Sequence, residues 1–128
     1  MPVDGVGFQM HFWDLESHPS PEDVAANMKR LTDLGLVVTI TEMDVVIHNS
    51  SGTPDEKLQR QAEDYAAILK VCTENPGCTA FGTWGFTDKH SWLYYLEPGT
   101  YSDQGPLLFD TDYQPKPAFY ELMNTLKP

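Results

Sequence analysis

The stretch VTITEMDVV, Val38 to Val46, ends an apolar run in two carboxylates, Glu42 and Asp44. A β-strand sends side chains i and i+2 to the same face. This spacing aims both acids one way, together with Val38 and Ile40, and sends Thr39, Thr41 and Met43 the other way. Two acids side by side at the end of a strand that is apolar below them read as a site rather than a surface. The plain alternative is a pair of solvated acids at a strand end.

Three strand-then-helix units must position them. The first opens with DGVGFQMHF, in which Val6, Phe8, Met10 and Phe12 alternate with Gly5, Gly7, Gln9 and His11. Its glycines leave room for bulk on a neighbouring strand. SPEDVAANMKRLTDLG then predicts a helix capped by Ser20, with Pro21 at its first position and an apolar stripe of Val24, Met28, Leu31 and Leu34. The second unit is LVVTITEMDV followed by a helix from about Pro54 to Thr73, where Thr53 and Glu56 have capping-box spacing. Acids on that helix, Asp55, Glu56, Glu63 and Asp64, read as a solvated face. The third is CTAFGTWGF, a connection of about 28 residues, and a short helix beginning near Pro115.

Strand and helix alternating in this way predict parallel strands with right-handed crossovers. The unusual polar and aromatic residues fall near the strands' C-terminal ends: Gln9 and His11, then Glu42 and Asp44, then Trp84 followed by Asp88. Both open α/β sheets and closed (β/α)8 barrels keep their ligand sites there.

Nineteen acids against eight bases leave a net charge of −11, which argues against nucleic acid and anionic membrane surfaces as partners. No apolar run approaches the ~20 residues of a membrane helix. The opening MPVDGVGFQMHF runs into strand-like sequence within a few residues and is read as carrying no leader. CTENPGC holds the two cysteines, Cys72 and Cys78, around a turn that could bring them together; two free, buried thiols are the alternative. The triplet Asn49-Ser50-Ser51 is a glycosylation sequon in a polar loop and favours a secreted, extracellular protein.

Taken together, DGVGFQMHF, LVVTITEMDV, CTAFGTWGFTDKHSW and GPLLFDTDYQPKPAF resemble the C-terminal part of a glycoside hydrolase family 10 xylanase over nearly the whole chain. The resemblance implies an α/β fold that is part of a (β/α)8 TIM barrel, with strands six to eight and their helices, and residues 1–128 forming one incomplete catalytic domain. It implies that Glu42 is the nucleophile and that His11 and Asp44 form the network supporting it. Gln9, Trp84 and Trp92 match residues lining sugar subsites, and Cys72 with Cys78 resembles a disulfide of many fungal members. No cofactor or metal is implied; the expected partner is xylan or xylo-oligosaccharide.

The chemistry suits these residue types. A retaining glycosidase uses one ionised carboxylate as nucleophile and a second carboxylic acid ~5–5.5 Å away as proton donor. The family's acid/base glutamate, in an Asn-Glu pair ending strand four, is expected ahead of Met1, because Glu74-Asn75 has the reverse order and sits in a turn. A full barrel takes about 250 residues. The isolated chain is therefore expected to have little or no activity, with open sheet edges and an inner face of Ile40, Trp84 and Phe86 left bare. A related barrel glycosidase such as a cellulase, and a non-catalytic carbohydrate-binding piece, are the alternatives. Asp88 is read as either lining the cleft or stabilising its loop. YYLEPGTYSDQGP is read as covering the cleft or packing the rim.

Overall fold

The computed structural model describes residues 2–96 and 105–127. Four parallel strand segments form one sheet: β1 (Gly5–Phe8), β2 (His11–Phe12), β3 (Val37–Val45) and β4 (Cys78–Thr83). β3 is central. The segments β1 and β2 follow each other along one of its edges, and β4 pairs with the other. Helices α1 (Pro21–Thr32), α2 (Pro54–Glu74) and α4 (Pro117–Thr125) bury Val24, Met28, Ala62, Tyr65, Ile68, Leu69, Ala118 and Leu122 against Val38, Ile40, Met43 and Val45. Among the described residues this is a partial α/β layer with an open sheet.

The helices begin where their sequences call for it. Ser20 accepts from the Asp23 amide, and Thr53 with Glu56 makes the complete capping box ahead of α2. Leu34 departs from the expected stripe: α1 ends before it and leaves it 69% exposed. Asp64 departs from the expected solvated face, because its Oδ2 lies 3.2 Å from Nε2 of His18, whose ring stacks on Phe12 at 4.3 Å. Burial raises the Asp64 pKa, with the His18 charge opposing.

The first strand is not continuous. Met10 has φ of 60°, a left-handed conformation costly for a residue with a Cβ, and it separates β1 from β2. The break meets an irregularity in β3. Phe8 pairs with Ile40 and His11 with Asp44, so three positions on the first strand face four on β3. Toward β4, Ile40 pairs with Phe81 and Met43 with Thr83, three positions against two. β3 thus holds one extra residue between Ile40 and Met43, a bulge at Thr41 and Glu42.

The bulge corrects the expected facing. Val38, Ile40, Met43 and Val45 all enter the helix-side core, two positions apart, then three, then two. Glu42 and Asp44 do share a face, but not with Val38 and Ile40, and Met43 lies opposite them. Ile40 is accordingly 1% exposed rather than on a bare inner face, while Trp84 and Phe86 are exposed as expected. On the side away from the helices, a Cβ at Gly7 would come 2.9 Å from Cγ2 of Thr41, and one at Gly5 2.7 Å from Cγ2 of Val37. The glycines make the room that the sequence predicts.

Cys72 and Cys78 form a disulfide with Cα atoms 5.2 Å apart, joining the end of α2 to the start of β4. A loop this short confers about 2 kcal/mol by constraining the unfolded chain. The double variant Cys72→Ala/Cys78→Ala should lose about that much in urea unfolding; an unchanged midpoint would mean the bridge contributes nothing.

The long connection after β4 contains a 3₁₀ turn (Asp88–His90) and the short helix α3 (Leu93–Leu96). Of YYLEPGTYSDQGP, residues 97–104 lie outside the described residues. No helix among the described residues is long and apolar enough to cross a membrane.

Candidate active site

His11 opens β2, directly opposite Asp44 in the register. Its Nε2 stands 3.3 Å from Oε2 of Glu42, and its Nδ1 stands 3.0 Å from Oδ1 of Asp44. One imidazole therefore bridges two carboxylates from the adjacent strand. The Nδ1 contact is close but off-axis, and this buried nitrogen makes no well-aligned hydrogen bond. An ionised carboxylate offers only lone pairs, so a ring nitrogen that bonds one does so as N–H.

The two acids occupy different environments. Glu42 is 21% exposed at the bulge and open to a ligand, whereas Asp44 is only 2% exposed. Burial raises the Asp44 pKa, opposed by the hydrogen bond from Trp92 and by the adjacent His11 and reinforced by the charge of Glu42. The sign of the linkage follows. Between its ordinary value of 3.8 and its raised folded value, the folded chain holds this proton more tightly, so stability falls as pH rises through that window. Ionising Asp44 therefore costs stability.

Trp92 Nε1 donates to Oδ2 of Asp44 at 2.7 Å, and its ring centroid lies 5.1 Å from that of His11. Trp13, two residues after His11, meets Trp92 at 5.9 Å in an edge-on arrangement and is 51% exposed. The position of Trp13 in HFW was its only sequence signal. Gln9 and Trp84 lie at the ends of β1 and β4, both exposed, and neither hydrogen-bonds to the Glu42 network. Trp84 is fixed through its backbone, whose amide donates to the Met43 carbonyl at 3.1 Å. Asp88 turns inward: its carboxylate accepts from the Leu107 amide at 2.7 Å and from Lys116 at 3.1 Å. Of its two readings, loop stabilisation is the one these contacts support. Among the described residues no group of three or more His, Cys, Asp or Glu is arranged to hold a metal ion.

Strand-end carboxylates thus share one imidazole, with aromatic rings beside them. Comparison with known proteins gives the family. The model of glycosyl hydrolase family 10 matches residues 1–125, and the chain belongs to that family. Endo-1,4-beta-xylanase B of Thermotoga neapolitana is 38% identical over 99% of the chain and 35% of its own length. Endo-1,4-beta-xylanase 1 of Humicola insolens is 35% identical, over 98% and 28%. Among solved structures, xylanase 10B of Thermotoga petrophila RKU-1 in complex with xylobiose superposes with a TM-score of 0.84 at 44% identity, over 98% of this chain and 36% of its own. Native xylanase 10B of Thermotoga maritima gives 0.84 and 44%, over 98% and 37%. The chain spans about a third of the length of these relatives.

Proposed function

We propose that this chain is the nucleophile-bearing part of a secreted endo-1,4-β-xylanase barrel, its strands corresponding to the sixth, seventh and eighth. The observation that carries the reading is Glu42 at a strand's C-terminal end, 3.3 Å from an imidazole that also faces Asp44. In the proposed reaction a Glu42 oxygen attacks the anomeric carbon of a xylose unit as the bond to the glycosidic oxygen breaks. A second carboxylic acid, supplied from outside these residues, protonates the departing oxygen. That group then takes a proton from water, which attacks the same carbon and frees Glu42 with retention of configuration. The His11 N–H holds one Glu42 oxygen and leaves the other to react. Gln9 is suited to sugar hydroxyls, and the exposed indole of Trp84 to the apolar face of a pyranose ring. The xylobiose bound by the Thermotoga petrophila relative supports xylan or xylo-oligosaccharide as substrate. The disulfide and the exposed sequon at Asn49 support an extracellular location.

Barrel completion tests this. The isolated chain should not hydrolyse xylan. Grafted in place of the matching third of Thermotoga maritima xylanase 10B, it should give an active, retaining enzyme. A folded but inert chimera, or an isolated chain cleaving xylan at whole-barrel rates, would refute the reading; a preference for glucan would indicate a cellulase.

A further inference from the structure

We infer that Trp92 is a positioning residue for the proposed reaction: its indole N–H fixes the rotation of the Asp44 carboxylate, which in turn sets His11 against Glu42. The inference rests on Glu42 being the nucleophile only for its catalytic consequence. The geometry stands independently.

Three contacts run in series, and the one at the far end is the shortest. Trp92 Nε1 to Asp44 Oδ2 is 2.7 Å, Asp44 Oδ1 to His11 Nδ1 is 3.0 Å, and His11 Nε2 to Glu42 Oε2 is 3.3 Å. A donor on a charged acceptor makes a strong, directional bond. His11 Nδ1 makes no well-aligned hydrogen bond, whereas Trp92 gives the carboxylate an aligned donor. Trp92 is itself anchored. It lies between Ser91 and Leu93, 3% and 1% exposed, and the Leu93 amide donates to the Ser91 hydroxyl. Its ring also tilts against His11 at 51°, and Trp13 packs on its outer side.

The arrangement divides the work of the indole. Its single N–H is committed to Asp44 and is not available to a sugar hydroxyl, so any contact of Trp92 with substrate is through its ring. The charged and titratable groups around Asp44 are His11 from β2, Glu42 from β3, and the buried phenol of Tyr65 from α2, which feels the Asp44 charge. Replacing Trp92 leaves all three in place and removes one donor from the carboxylate.

The test is a nuclear magnetic resonance titration of the folded chain, alone or within the chimera. In the wild-type protein the Trp92 indole N–H signal should shift with pH at the midpoint of the Asp44 carboxyl carbon. In Trp92→Phe, which keeps a ring, the Asp44 midpoint should rise by about one pH unit, the loss expected for a bond to a charged acceptor. Trp13→Phe should leave it in place. In the chimera Trp92→Phe should lower kcat more than it raises KM. An indole signal blind to Asp44, or an unmoved Asp44 midpoint in a folded variant, would overturn the inference. The wild-type titration decides it even if the variant does not fold. Failure of a 2-fluoro-xyloside to label Glu42 would defeat the nucleophile assignment while leaving the Trp92–Asp44 result intact.

Discussion

Glu42→Gln in the completed barrel is expected to lower kcat on xylan by about ten-thousand-fold or more, the scale of losing a nucleophile that works as part of a unit. The amide matches the carboxylate in shape and still offers an oxygen to His11 Nε2, 3.3 Å away in the wild-type protein. It lacks the negative charge that the proposed attack on the anomeric carbon requires. KM should change far less than kcat, because Gln9 and Trp84, the groups proposed to bind sugar, remain. An aryl xylobioside with a good leaving group gives the clearest measurement, since the intermediate then accumulates as a burst that Glu42→Gln should abolish. Retained turnover within tenfold of wild type would remove Glu42 from the reaction. Asp44→Asn is a contrasting case. It keeps an acceptor for Trp92 but takes away the charge that faces His11, and it should impair turnover without eliminating the covalent step.

Lys116→Met should destabilise the protein by about 3–5 kcal/mol, the range for breaking a buried ion pair from one side. Lys116 Nζ lies 3.1 Å from Oδ2 of Asp88, and the two side chains are 7% and 9% exposed. The ammonium also donates to the Gly105 carbonyl at 2.6 Å. Burial raises the Asp88 pKa and lowers that of Lys116, each opposed by the partner, so desolvation outweighs attraction on both sides. The variant leaves a lone buried carboxylate whose remaining donor is the Leu107 amide. Its deficit should be largest near neutral pH and shrink as pH falls through the raised Asp88 value, where the carboxyl becomes neutral. Lys116→Met combined with Asp88→Asn should recover most of the loss in urea unfolding, because no uncompensated charge then remains. A single-variant loss below 1 kcal/mol would mean that water reaches the pair. The pair ties the segment that carries Trp92 to the start of α4, so this local energetics bears on the site.

Much of the molecule was determined by the sequence itself, because its signals are local. Ser20 and Thr53 cap α1 and α2 with their own neighbours' amides, and Pro21 and Pro54 stand at the first helical positions. The alternation of strand and helix dictated parallel pairing, and the i, i+2 spacing of Glu42 and Asp44 put both acids on one face. Family motifs then named His11 as their companion before any distance was known. Only the tertiary structure decided the rest, since it depends on partners far apart along the chain. The extra residue at Thr41 and Glu42 is visible only against Phe8, His11, Phe81 and Thr83, and it puts Ile40 on the side opposite the acids, together with Met43. His18 finds Asp64 on another element, and Lys116 finds Asp88 across 28 positions. Trp92 reaches Asp44 across 48. A periodicity rule carries no term for such contacts: a bulge is chosen by the neighbouring strands, and a buried charge by whatever the fold brings beside it.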